Sequence, residues 1–126
     1  MGKVRAILGS SVLFWLPSFV VVIGEVTVFV INYAESIASD LAAIRAFERR
    51  QLMDQIEWQL THEPTRESRN KKVLHGLTPP WDHVTPIWEL RINEYRVFYD
   101  VDEAGRQVIV RAVRRKPPHK TTEEIL

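Results

Sequence analysis

Apolar positions along the chain repeat with two different periods. Between Asn32 and Leu60 they recur at Ile37, Leu41, Ile44, Leu52, Ile56 and Leu60, the spacing of one helix face and most simply core. No Gly or Pro interrupts that segment. It predicts one long helix or a helical pair with a break near Phe47–Arg50, and Asn32 followed by Glu35 fits a reciprocal capping start. From Ile87 the period changes to two. Ile87–Ile92 turns Trp88, Leu90 and Ile92 to one face, Glu89 and Arg91 to the other. Tyr95–Val101 turns Tyr95, Val97, Tyr99 and Val101 to one face, Arg96, Phe98 and Asp100 to the other. Only Asn93-Glu94 separates these runs, so a two-residue hairpin pairs Ile92 with Tyr95 and Arg91 with Arg96. Asp102–Gly105 is the next turn, and Val108–Val113, apolar on both faces, reads as a central strand. Val26–Ile31, β-branched and aromatic, reads as the first strand of the domain. Residues 61–86 contain Pro64, Gly76, Pro79, Pro80 and Pro86 and read as a loop anchored by Leu74 and Trp81. Thr121 or Thr122 can cap a last helical turn through Glu124. The order predicts an α+β fold: an N-terminal strand, two helices (or one long helix), then a three-stranded antiparallel meander, forming one small sheet with the helices on one face.

The first residues stand apart. Only Glu25 is charged between Ile7 and Ile31. A run of that length suits a bilayer span, which needs about 20 apolar residues, and Lys3 and Arg5 ahead of it suit a signal peptide. Pro17, Glu25 and the lack of a small-x-small cleavage site weigh against both. The run therefore divides into an appended apolar segment, residues 1–24, and a domain of residues 25–126. A start-site extension, a loosely packed helix and a membrane-seeking segment all fit residues 1–24.

Composition narrows the class. The chain has 126 residues, 45% apolar and 26% charged, which suits one globular domain and excludes wholesale disorder or a coiled coil. It has no cysteine, so disulfides, a thiol nucleophile and Cys-based zinc sites are excluded. A net charge of +1 does not mark a nucleic-acid binder, but the distribution of charge is informative. Arg111–Lys120 reads RAVRRKPPHK, five cations and no acid, and Arg66–Lys72 reads RESRNKK. Local basic stripes of this kind are the electrostatic footprint of a polyanion partner.

The hairpin carries the sharpest chemical clue. Arg91 and Arg96 lie directly opposite on one face, where like charges repel. Solvation, compensation by Glu89 or Asp100, or a bound anion would each relieve this. Arg111, Arg114, Arg115 and Lys116 approach the same sheet, and a dense cation set suits phosphate. Trp81, Phe98 or Tyr99 could stack on bases, while Trp88 and Tyr95 read as core. His62, His75 and His83 sit in or beside loops, and His119 follows the basic tail. There is no glycine-rich phosphate loop, no His-Glu-x-x-His pair and no nucleophile elbow.

Two motifs, in order, carry a resemblance. Lys72-Val73-Leu74-His75-Gly76 matches a "K-x-L-x-G" loop, and Leu90–Tyr99 (LRINEYRVFY) matches a hairpin "L-R-x-x-x-Y-R-V-x-Y"; the VIVRAVRRK strand follows. From about Val26 to Leu126 the chain resembles the RelE/ParE toxin superfamily of bacterial type II toxin–antitoxin systems, with the RelE-like branch favoured. The resemblance implies a cytoplasmic toxin neutralised by a cognate antitoxin, touching operator DNA only through that antitoxin. It implies ribosome-dependent endoribonuclease activity on translated mRNA, with no metal or cofactor. Alternatives are a ParE-like gyrase-poisoning toxin and a degenerate protein that only binds its antitoxin. In the RelE-like reading the RNA 2′-oxygen attacks the adjacent phosphate, which needs cations, a base and an acid. Arg96 stands at the family's phosphate-stabilising arginine. Lys71 and Lys72 stand where the family has RNA-contacting or proton-transferring bases. Arg69, Arg91, Arg114, Arg115 and Lys116 would bind RNA phosphate. The family's tail tyrosine is missing, which leaves His119 as the titratable ring there.

Overall fold

Period-two alternation and period-3.6 apolar spacing become the two layers of an α+β domain. The computed structural model describes residues 28–126 and, by backbone, two further strands, Val12–Trp15 (β1) and Val20–Gly24 (β2). β1 and β2 pair antiparallel as a separate two-stranded sheet. Of the three readings of residues 1–24, a start-site extension, a loosely packed helix and a membrane-seeking segment, this strand pairing bears on the helix alone: the described residues of the segment are strands. Lys3, Arg5, Pro17, Glu25, Val26 and Thr27 lie outside the described residues.

The main sheet has five strands in the order β3-β7-β6-β5-β4. These are Val30–Tyr33 (β3), Lys71–Leu74 (β4), Ile87–Ile92 (β5), Tyr95–Asp102 (β6) and Gln107–Arg115 (β7). β4 to β7 pair antiparallel, whereas β3 runs parallel to β7. The expected three-stranded meander is therefore the middle of a mixed, five-stranded sheet. The first strand begins at Val30 rather than Val26, so Asn32 belongs to it. Its side chain donates to Gln107 Oε1 (3.1 Å) across the sheet instead of capping a helix.

The helical segment is a pair, Ile37–Ala42 (α1) and Ala46–Leu60 (α2). The break falls at 43–45, ahead of the expected Phe47–Arg50, because Arg45 is extended (φ −61°, ψ 145°). Arg49 closes it by donating to the Leu41 carbonyl at 3.2 Å, which satisfies a C-terminal acceptor of α1. Phe47, just past the break, points to water and is 71% exposed.

The helices cover one face of the sheet. Ile37, Ile44, Leu52, Ile56 and Leu60 pack on Trp88, Leu90, Ile92, Val97, Tyr99, Val108 and Val110. Burial of these side chains is the main favourable term holding the layers together. The opposite face has a smaller apolar patch of Ile87, Phe98 and Ala112, all buried. Trp81, on the loop after β4, lies 5.5 Å from Phe98 in a tilted arrangement. The last helix, Thr122–Ile125 (α3), starts at Thr121 with a full capping box, in which Thr121 and Glu124 satisfy each other's backbone amides.

Candidate functional site

Register alone builds a row of cations. Arg91 on β5 pairs with Arg96 on β6, and Arg96 pairs with Arg114 on β7. Paired residues share a face, so the three side chains leave their strands on the face away from the helices, with Arg91 on the stretch of β5 that β4 does not cover. The adjoining row is Lys72, Glu89, Phe98 and Ala112. Asn93 begins the turn between β5 and β6 in the left-handed region (φ 53°), which asparagine tolerates.

The three arginines are held differently. Arg114 donates to Asp40 Oδ2 at 2.9 Å, and its guanidinium carbon lies 5.1 Å from the centre of the Trp81 ring. Arg96 is 7% exposed. Its Nη1 donates to the Asn93 and Tyr95 carbonyls, both at 2.9 Å, and its Nε is buried with no partner among the described residues. Burial, and then the neighbouring Arg91 charge, push the Arg96 pKa below its ordinary value, with Glu89 opposing. Arg91 is exposed and has no ion-pair or side-chain hydrogen-bond partner among the described residues.

Of the two expected compensators, Asp100 is engaged elsewhere, and Glu89 acts on Arg96 by charge while its direct contacts go to other residues. Asp100 accepts from Arg111 Nε (2.8 Å) and Nη2 (3.2 Å) and from the Val84 amide (3.0 Å). A bulge makes this pair: Phe98 faces Ala112 and Tyr99 faces Val110, which leaves Arg111 as the extra residue. Glu89, 2% exposed, faces Lys72 Nζ at 3.7 Å and accepts from Thr122 Oγ1 at 2.9 Å. Sequence alternation reads Glu89 as a surface partner; only the tail folding over that face buries it.

The remaining sequence-derived candidates scatter. Lys71 faces the helices because it pairs with Leu90. Its Nζ donates to the Gln59 (3.2 Å) and Glu63 (2.7 Å) carbonyls, tying β4 to the end of α2. Burial lowers its pKa, against the charge of Glu63. Arg69 is exposed in the loop before β4. Arg115 pairs with Tyr95 in the sheet, so it turns away from the arginine row and binds Glu94 at 2.9 Å. The Lys116 amide donates to the Glu94 carbonyl, and His119 is exposed in the turn before α3. Phe98 and Tyr99 are fully buried and give no stacking surface; Trp81 is only part-covered.

No family model and no curated protein matches the chain. Solved structures do match by shape. One is the RelBE2 toxin–antitoxin complex of Mycobacterium tuberculosis, with a TM-score of 0.57 and 17% identity over 71% of this chain and 92% of that one. Another is the RelE–RelB complex of Pyrococcus horikoshii OT3, with a TM-score of 0.56 and 15% identity over 75% and 100%. A third is the isolated E. coli RelE toxin, with a TM-score of 0.53 and 19% identity over 78% and 94%. The five-stranded mixed sheet, the helical pair and the hairpin with its arginine row are thus carried on the RelE toxin fold.

Proposed function

We propose that this chain is the toxin of a toxin–antitoxin pair and cuts translated mRNA on the ribosome, using the arginine row as its phosphate site. The observation that carries this reading is the pairing of an exposed Arg91 with a buried Arg96, the Arg91 guanidinium and the Arg96 Nε both without a partner among the described residues. Two like charges held opposite each other store repulsion that an anion relieves. A phosphate bridging them would gain charge-assisted hydrogen bonds.

In the reaction the RNA 2′-oxygen forms a bond to phosphorus and the bond from phosphorus to the 5′-oxygen breaks, leaving a 2′,3′-cyclic phosphate. Arg91 and Arg96 hold the non-bridging oxygens as charge builds on them. The 2′-hydroxyl proton passes to a base beside the row, for which Lys72 and the Glu89 carboxylate are the candidates. His119 delivers a proton to the departing oxygen, which requires the tail to swing toward the row. Lys71, engaged by two carbonyls on the other face, acts in positioning β4. The partner is a cognate antitoxin laid over the sheet and helices, since several neighbours of this fold were solved as RelB–RelE complexes. The compartment is the cytoplasm, and operator DNA is reached only through the antitoxin.

The test expresses the full chain beside an Arg96→Ala version from a tight promoter and maps mRNA 5′ ends during growth arrest. Cuts at a fixed position within codons are expected, reduced on the order of a hundredfold in Arg96→Ala, the loss typical of one removed transition-state donor. Growth arrest without such cuts would instead favour gyrase poisoning. Soluble protein with no arrest would favour a chain that only binds its antitoxin.

A further inference from the structure

Helix α2 carries Gln51, Gln55 and Gln59 four residues apart, an uncharged polar stripe on a helix that also exposes Phe47, Arg50, Asp54, Glu57 and Trp58. Its last two members line a cavity of about 350 Å³ with Asn70, Arg91, Ile92 and Asn93. That volume lies in the range of ligand pockets. None of the four side-chain amides has a hydrogen-bond partner among the described residues, and neither does the Arg91 guanidinium. Ile92, 8% exposed, supplies an apolar wall. The cavity adjoins the arginine row: Arg91 pairs with Arg96, and the Asn93 carbonyl accepts from Arg96 Nη1.

We propose that this cavity is a nucleotide-binding pocket in which the amides read one unpaired base of the RNA and Arg91 holds its phosphate. An amide offers a donor and an acceptor side by side, which matches a base edge, and pairing of Asn or Gln with adenine is a standard instance. Unpaired bases splayed from a single strand are the usual targets of sequence-specific RNA recognition. Charged side chains at these positions would suit phosphate alone; four neutral amides around one cation suit a base with its phosphate. The inference rests on the RNA-cleaving reading and adds a source of sequence preference to it.

Nitrogen-15-labelled full chain, made by cell-free synthesis, is titrated with adenosine 5′-monophosphate and separately with ribose 5-phosphate, following side-chain amide and arginine signals by NMR. Adenosine monophosphate is expected to shift the amide pairs of Gln55, Gln59, Asn70 and Asn93 together with Arg91. Ribose 5-phosphate should move Arg91 alone. Gln55→Ala and Gln59→Ala, on the helix surface, should each weaken adenosine monophosphate about tenfold, the loss of one base contact, and leave ribose 5-phosphate binding unchanged. Identical shifts from both compounds would reduce the site to a phosphate contact and overturn the proposal, as would no shift from the nucleotide. This readout does not depend on cleavage. Binding without mRNA cuts retires the nuclease and keeps the pocket; cuts without binding do the reverse.

Discussion

Tyr33 shows how one hydroxyl couples this fold to pH. Its oxygen is buried with no hydrogen-bond partner among the described residues, and burial, with the nearby Glu57 charge, pushes its pKa up to about 12 from 10.0. Burial also raises the pKa of Tyr99, whose hydroxyl donates to the Pro64 carbonyl at 2.6 Å. A pKa raised on folding means that the native state keeps a proton the unfolded chain releases. The associated stability is fully present below pH 10 and is lost as pH climbs toward 12. Stability should therefore fall steeply with pH above 10, and Tyr33→Phe should flatten that fall, measured as urea midpoints from pH 8 to 11. At neutral pH the same substitution should stabilise by about 1 kcal/mol, because it removes an unpaired buried hydroxyl. A destabilised Tyr33→Phe would mean that the hydroxyl has a partner. At this scale the sequence was most informative about Arg96 and Arg91, because hairpin register follows from alternation and a two-residue turn. It was least informative about Lys71, whose direction depends on a strand that residues 61–86, rich in Pro and polar side chains, do not announce.

Elements meet at β7, where polar groups are satisfied across a sheet edge. β3 covers β7 only as far as Tyr33, opposite Val110. Beyond that point α1 takes over: Ser36 Oγ donates to the Arg111 carbonyl at 3.4 Å, and Asp40 Oδ2 accepts the Val113 amide at 2.9 Å while binding Arg114. A free strand edge is otherwise a template for pairing with another chain. Asp40→Ala should cost about 2 kcal/mol, since it strands a backbone donor and a part-buried guanidinium. A loss below about 0.5 kcal/mol in chemical unfolding would show that water replaces the carboxylate. Most element types were legible in the sequence because their apolar periods differ. β4 was missed because a four-residue edge strand, Lys71–Leu74, is defined by its partner β5 and not by its own alternation. The helix break was displaced by a few residues because a backbone turn at Arg45 needs no Gly or Pro.

For the whole molecule, the domain boundary near Glu25 remains a proposal that a truncation can test. The chain from Glu25 should keep the same fold and melt within about 2 °C of the full chain, as expected when removed residues contribute little to the core. Loss of cooperative melting would make the first 24 residues part of the domain. No helix among the described residues is long and apolar enough to cross a membrane. The sequence by itself determined the α+β class, the helical pair as one reading, the hairpin register that sets Arg91 against Arg96, and the capping of the last helix. These are local matters, fixed by periodicity, turn length and side chains within a few residues of their targets. Only the tertiary structure decided that β3 lies parallel to β7, that Glu89 is buried under Thr122, that Asp100 serves Arg111, and that amides from α2, from the loop before β4 and from the β5–β6 turn share a cavity. Those outcomes depend on contacts between residues far apart in the chain, where packing and register choose among partners that the sequence leaves equivalent.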